Sequence, residues 1–252
     1  MEAFLDELTP AASTQKYRDL RDVLAAVAKH PNRRYFIYKS IIVNNLYGVD
    51  LMHEAVEIAK LRLFLKLVAQ VERVEAIEPL PDIDFNIRAG NTLVGFATRD
   101  QMIDAVRGDK LLLLPEEEDA LARIEEQAAD VERLFDKFRA MQTAYDGRDF
   151  GDDYASTKQA LQQRLGALGG ELDGLLAHQY GVNPAKLEYE PWRKTHQPFH
   201  WFVEFYGIIK QGGFDVIIGN PPWKEYSAVR KEYRLLNYAT EKAGNLYGLC
   251  TE

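Results

Sequence analysis

Gly213-Phe214-Asp215-Val216-Ile217-Ile218-Gly219-Asn220-Pro221-Pro222-Trp223 is the stretch on which the fold reading turns. Its first half is an apolar run of the kind that fills a buried parallel strand. Its second half cannot continue as regular structure. A residue before proline is pushed out of the helical region, and two successive prolines supply no backbone donors. The strand is therefore expected to stop at Gly219 and to project Asn220, Pro221, Pro222 and Trp223 beyond its carboxyl end. In open α/β sheets that edge is where ligands bind. A rigid turn offering an amide, carbonyl oxygens and an aromatic face there suits a flat, amine-bearing molecule.

Working outward, two further junctions have the same form. Leu46-Tyr47-Gly48-Val49-Asp50 is a short apolar run ending in an acid, and residues 53–71 follow as a helix without Gly or Pro. An acid at a strand end that opens a helix fits two roles. It caps the helix, or it hydrogen-bonds the ribose hydroxyls of an adenosine-containing ligand. Phe85-Asn86-Ile87-Arg88-Ala89-Gly90-Asn91-Thr92 reads as a second short strand and loop. Asn91 there is either a turn residue or a hydrogen-bonding partner for an adenine edge.

The rest of the chain is helical in pattern. Residues 17–29 and 35–43 read as helices, the first preceded by a break at Pro10 and a cap at Ser13-Thr14. From Pro115, Leu121, Ile124, Ala128, Val131, Leu134, Phe135 and Phe138 recur three or four apart. The polar residues 146–153 interrupt this pattern, and Leu161, Leu165, Leu168, Leu172, Leu175 and Leu176 begin another. The pair predicts an antiparallel hairpin inserted into a sheet domain. Gly166, Gly169, Gly170 and Gly174 lie inside that second helix and follow no apolar strand, so they are no nucleotide loop. Glu116-Glu117-Glu118 reads as a helix N-terminus in favourable contact with its dipole. Residues 184–198 read as irregular chain, and 199–206 as aromatic core in which His200 is a structural hydrogen-bonder. Residues 224–242 read as a basic loop and helix.

Composition bounds these readings. The 252 residues suffice for one large or two smaller domains, at 46% hydrophobic and 28% charged. No apolar run approaches the roughly 20 residues that span a bilayer. The first seven residues are acidic, unlike a secretory signal. One cysteine, Cys250, permits no internal disulfide and fits a cytoplasmic setting. Five scattered histidines give no metal-ligand spacing. The net charge of −8 weakens a nucleic-acid reading, although Arg33-Arg34, Arg193-Lys194, Lys224, Arg230-Lys231 and Arg234 flank the motif regions.

The motifs together resemble a known family. Asn220-Pro221-Pro222-Trp223 after an apolar strand is similar to motif IV of amino-methyltransferases that use S-adenosylmethionine, in its adenine-N6 DNA methyltransferase version. Protein-glutamine, ribosomal-RNA and small-amine methyltransferases share that tetrad. Asn45-Leu46-Tyr47-Gly48-Val49-Asp50 with the helix after it, Asn86 to Leu93, and Phe199-His200-Trp201 to Phe205 resemble large type II restriction-modification methylases. The resemblance implies an α/β fold: a partial Rossmann-like S-adenosylmethionine-dependent methyltransferase sheet with an inserted α-helical hairpin. It implies an N-terminal helical segment (1–32), a methyltransferase core in two parts (33–100 and 196–252) and the insertion (101–195). Carried over, Asn220 and Pro221 accept hydrogen bonds from the target amine, Pro222 stiffens the turn, and Trp223 stacks on a flipped base. Asp50 with Leu51 holds the cofactor ribose, and Asn91 its adenine. Double-stranded DNA is the implied partner, reached through a full-length enzyme.

One family feature is missing from its expected place. Residues 1–45 contain no glycine, so the glycine-rich loop expected before Tyr47 is absent. The expectation is an internal segment of a longer polypeptide, binding the cofactor poorly and transferring no methyl group alone. An RNA or protein-amide methyltransferase, or a non-catalytic scaffold whose hairpin docks another subunit, are the competing readings.

Overall fold

Short apolar runs become strands only when a neighbour completes their hydrogen bonds, and two such runs here do so with each other. The computed structural model describes residues 18–71, 78–108, 110–143, 151–229, 233 and 244–251. The break at Pro10, the cap at Ser13-Thr14 and the basic residues Arg230-Lys231 and Arg234 lie outside the described residues. Strand β1 (Gly48–Asp50) pairs in parallel with β2 (Ile87–Ala89), Gly48 opposite Ile87 and Asp50 opposite Ala89. Gly48 N–H donates to the Asn86 carbonyl and Gly90 N–H to the Asp50 carbonyl, each at 2.9 Å, closing the ladder at both ends. Parallel strands need a long crossover, and helix α3 (His53–Val68) supplies it.

Two helices precede β1, α1 (Arg18–Lys29) and α2 (Arg33–Asn45). Asn32 caps α2: its Oδ1 accepts Tyr35 N–H at 3.2 Å. At the other end the buried Asn86 amide donates to the carbonyls of Val43 at 2.9 Å and Leu46 at 3.2 Å. These are carbonyls that a helix terminus leaves without intrahelical partners. One side chain thus ties α2 to the start of β2. Tyr35, Ile42, Val56, Leu67, Ile83 and Ile87 bury together around the small sheet.

After β2 come α4 (Arg99–Arg107), α5 (Pro115–Thr143) and α6 (Gly151–Gln179). The periodic residues of α5 and α6 face each other as expected. Leu121, Ile124, Ala128, Val131 and Phe138 pack on Leu161, Leu165, Leu168, Leu172 and Leu176. Lys137, later in α5, pairs with Asp153, early in α6, and the earlier Asp130 pairs with the later Arg164, so the helices are antiparallel. Glu117 Oε2 accepts Leu114 N–H at 2.8 Å, which places the acidic run in the helix-start role read for it. The hairpin core is continuous with Phe85, Val94, Phe96, Phe202 and Val203, which belong to the segments around the strands.

Two stretches depart from the sequence reading. Residues 184–198, expected to be irregular, contain α7 (Tyr189–His196). Pro191 falls in its first turn, where the missing N–H costs nothing. Gln197, at φ 45°, ends the helix in a left-handed conformation. Buried Trp192 anchors it, its ring 5.2 Å from that of His196.

The second departure is larger. The chain continues through α8 (Trp201–Glu204) and α9 (Tyr206–Lys210) into the run 213–223, which forms no strand. Val216, Ile217 and Ile218 are 74%, 81% and 93% exposed. A parallel strand needs a ladder partner, and among the described residues none lies beside this run. After it come a 3-10 turn (Tyr226–Ala228) and α10 (Leu246–Thr251). Because Ile217 is exposed, Ile217→Ser should change unfolding free energy by no more than about 0.5 kcal/mol in urea titrations. A loss of about 3 kcal/mol, typical of truncating a buried side chain, would place the run in a core.

Candidate functional site

The strand ladder puts Asp50 and Asn91 on adjacent strand ends. Asp50 closes β1 and Asn91 lies two residues beyond Ala89, its ladder partner. Asp50 is exposed, and its Oδ1 accepts Met52 N–H at 2.8 Å, turning the chain into α3. Leu51, beside it, is also exposed. Asp50 thus makes a local turn before α3 and does not cap it, since no side chain caps that helix start. A carboxylate has about four acceptor positions, so one such bond leaves capacity for hydroxyl donors.

The Asn91 loop is held from three sides. Asn91 Oδ1 accepts Leu93 N–H at 3.2 Å, and Asn91 N–H donates to the Gln197 carbonyl at 2.7 Å. Phe199 N–H donates to the Val94 carbonyl at 2.7 Å, and the Trp201 indole N–H donates to the Thr92 carbonyl at 3.3 Å. Gly95 lies at φ 146°, where a side chain is strained, and a Cβ there would stand 2.1 Å from the Phe199 carbonyl oxygen. The turn role of Asn91 is thus realised, with its amide N–H groups left available as donors.

Below the loop, His200 does structural work. Its Nδ1 accepts Phe96 N–H at 3.1 Å and its Nε2 lies 3.1 Å from the buried Asp173 carboxylate of α6. Arg193 Nε donates to the other Asp173 oxygen at 2.5 Å. Arg88 of β2 forms a 2.8 Å ion pair with Glu204 of α8. Burial pushes the Glu204 carboxyl above its usual range, with Arg88 and His200 opposing it. These groups fix one segment to another and do not line the strand ends.

Asn220, Pro221, Pro222 and Trp223 lie in the extended run, and Trp223 is 91% exposed. No hydrogen bond among the described residues joins Asn220 to Asp50 or Asn91. Both flanks are anchored near those residues instead. Upstream, Phe214 packs on Tyr47, the residue just before β1, at 5.8 Å, and on Trp201 and Phe205. Downstream, Val229, Leu246 and Leu249 cluster against Leu93 of the Asn91 loop. Leu246 N–H donates to the Lys224 carbonyl at 2.8 Å. No group of His, Cys, Asp or Glu among the described residues could hold a metal ion. No described helix is long and apolar enough to cross a membrane.

A family model described as Eco57I restriction-modification methylase matches residues 44–252, a span running from before β1 through the Asn-Pro-Pro-Trp run. The chain belongs to that family. It is also 31% identical over 276 aligned residues to a Methanocaldococcus jannaschii protein titled "Putative type II restriction enzyme and methyltransferase". That alignment covers 88% of this chain but 23% of the relative, so the chain spans about a quarter of the relative's length. No solved structure matches significantly.

Sequence reasoning missed Arg139, whose Nη1 donates to the Tyr47 hydroxyl at 2.9 Å from 92 residues away. Nothing in the periodicity of α5 marks it, since it falls between apolar positions like any exposed arginine. It also missed Asn86, whose capping amide has no local signature. The loop of this methylase-family chain depends most on Gly95. Gly95→Ala should cost more than about 2 kcal/mol in urea unfolding, through backbone strain and the clash with Phe199. Gly166→Ala, in open space inside α6, should instead stabilise by about 0.5–1 kcal/mol. Equal effects of the two changes would contradict the packing of the loop.

Proposed function

We propose that this chain is the part of a site-specific DNA adenine-N6 methyltransferase that carries the acceptor turn and one side of the cofactor site. Its setting is a restriction-modification or phage-defence system. The observation that carries the reading is the union, in a restriction-modification methylase family member, of Asn220-Pro221-Pro222-Trp223 with Asp50 and Asn91 on neighbouring strand ends. Under this reading the two-stranded ladder belongs to a Rossmann-like sheet, divided as 1–32, 33–100, 101–195 and 196–252. The ladder and the exposed run would be reconciled by a further strand between them. In doubly wound sheets the first strand lies between the second and the fourth.

The residues fit S-adenosylmethionine by the chemistry of their donors. Asp50 would accept the ribose hydroxyls, Leu51 would cover the sugar, and the Asn91 amide would meet the adenine edge. When bound, that cofactor supplies a methyl group on a positively charged sulfur. The chain's own work lies on the acceptor side. Adenine N6 is a weak nucleophile because its lone pair is delocalised into the ring. The Asn220 side-chain oxygen and the Pro221 carbonyl accept the amine hydrogens and favour a more tetrahedral nitrogen. Pro222 restricts the turn, and the exposed Trp223 face stacks on the base, worth about 1–3 kcal/mol. Positioning and electrostatics carry the rate.

The net charge of −8 favours a second reading, in which the acceptor is a protein amide and no phosphate backbone is gripped. Incubation with unmethylated duplex DNA and a tritiated methyl donor decides between them. It is run on the chain alone and on the chain joined to the segments encoded beside it. N6-methyladenine is the expected product, and label confined to protein or RNA overturns the DNA reading. In the active form Asn220→Ala should lower transfer about a hundredfold or more with cofactor binding kept. Asp50→Ala should weaken cofactor binding about tenfold or more, read by calorimetry.

A further inference from the structure

The run 213–223 has no ladder to hold it, so its place is set by its anchors, and the upstream anchor is built by the helical hairpin. Along α5, Glu132, Phe135, Asp136 and Arg139 fall at i, i+3, i+4 and i+7, a single face. Phe135 of that face also packs against the hairpin core, while Glu132 and Arg139 engage segments outside the hairpin. The Arg139 guanidinium lies 4.8 Å from the Phe135 ring centroid, pairs with Asp136, and donates to the Tyr47 hydroxyl at 2.9 Å. Three residues of this face, with Tyr47, thus hold one planar cation. Burial works against the Arg139 charge, but Tyr47, Asp136 and Glu132 outweigh it and raise its pKa, so it remains charged.

Tyr47 passes this constraint on. Its ring stands edge-on to Phe205 at 5.3 Å and tilted against Phe214 at 5.8 Å. Phe214 also meets Phe205 at 5.5 Å and Trp201 at 6.1 Å. Aromatic pairs at these separations are directional, so a fixed Tyr47 ring fixes the seat of Phe214.

Glu132 constrains the same point through the backbone. Its Oε2 accepts Gly207 N–H at 3.1 Å, at the start of α9. A Cβ at 207 would stand 1.9 Å from Glu132 Oε1, so a side chain there would make the Glu132 carboxylate shift from this bond. Helix α9 ends at Lys210, and four residues later the chain reaches Phe214. The hairpin therefore grips both the packing partner of Phe214 and the element that leads into it.

We propose that the helical hairpin is a positioning element for the Asn-Pro-Pro-Trp turn. Arg139 and Glu132 are its positioning residues, acting through Tyr47 and Gly207 to set where the run 213–223 leaves the core. The link to methyl transfer rests on the acceptor role assigned to Asn220 above. The positioning itself does not.

Spin labels test it in this chain, on a Cys250→Ser background. One label goes on the exposed Gln127→Cys of α5 and one on the exposed Ile218→Cys of the run. A control pair joins Gln127→Cys to the exposed Gln163→Cys of α6. The parent should give a single narrow 127–218 distance peak. Arg139→Ala and Tyr47→Phe should each lose that peak, their combination should add nothing further, and Arg139→Lys should partly restore it. The 127–163 distance should stay narrow throughout. An unchanged 127–218 peak overturns the proposal. So does loss of both peaks together, which is what a merely structural arginine would cause. If the 127–218 peak is lost as expected while methyl transfer by the active form is unaffected, the positioning stands and the acceptor reading of Asn220 fails.

Discussion

The hydrogen bond from Gly90 N–H to the Asp50 carbonyl closes a parallel ladder of three residues on each side, and the arrangement of the candidate site depends on it. A two-stranded sheet this short is not stable alone. It persists because its surroundings fix both strands. Asn86 ties the start of β2 to the end of α2, and the Phe199 backbone is pressed against Gly95 just beyond β2. The Arg88–Glu204 pair holds β2 to α8. Asp50 and Asn91 are therefore neighbours by backbone geometry, whatever else binds there.

The sequence made legible what depends on local pattern. Apolar residues three and four apart in 121–138 and 161–176 foretold the hairpin, and the apolar run into Asp50 foretold a strand end before a helix. Residues 214–219 show where such reasoning stops. Composition says that Val216, Ile217 and Ile218 suit a buried strand, but burial and pairing are properties of a neighbour, which no run contains in itself. The same limit explains α7, which lies in the stretch 184–198 read as irregular and is anchored by the burial of Trp192. It explains Arg139 as well, since its contact with Tyr47 spans 92 residues.

Asp50 and Asn91 each make one local side-chain bond that shapes the chain beside it. Asp50 spends one acceptor position on Met52 N–H, and Asn91 spends its oxygen on Leu93 N–H. Both bonds fix the side chains without exhausting them. Local structure thus orients groups that a ligand could use, and family membership gives that orientation its meaning. The long helical hairpin takes on a similar double character. Its seam stabilises, while Glu132 and Arg139 reach the segments that frame the Asn-Pro-Pro-Trp run.

Ultraviolet crosslinking of radiolabelled S-adenosylmethionine, with the labelled peptides sequenced, tests the central claim most directly. It is done on the form that is active in methyl transfer, with unlabelled cofactor as competitor. The account predicts competable label on the peptides that contain Asp50 and Asn91. Label confined to other peptides, or label that unlabelled cofactor does not displace, would contradict it.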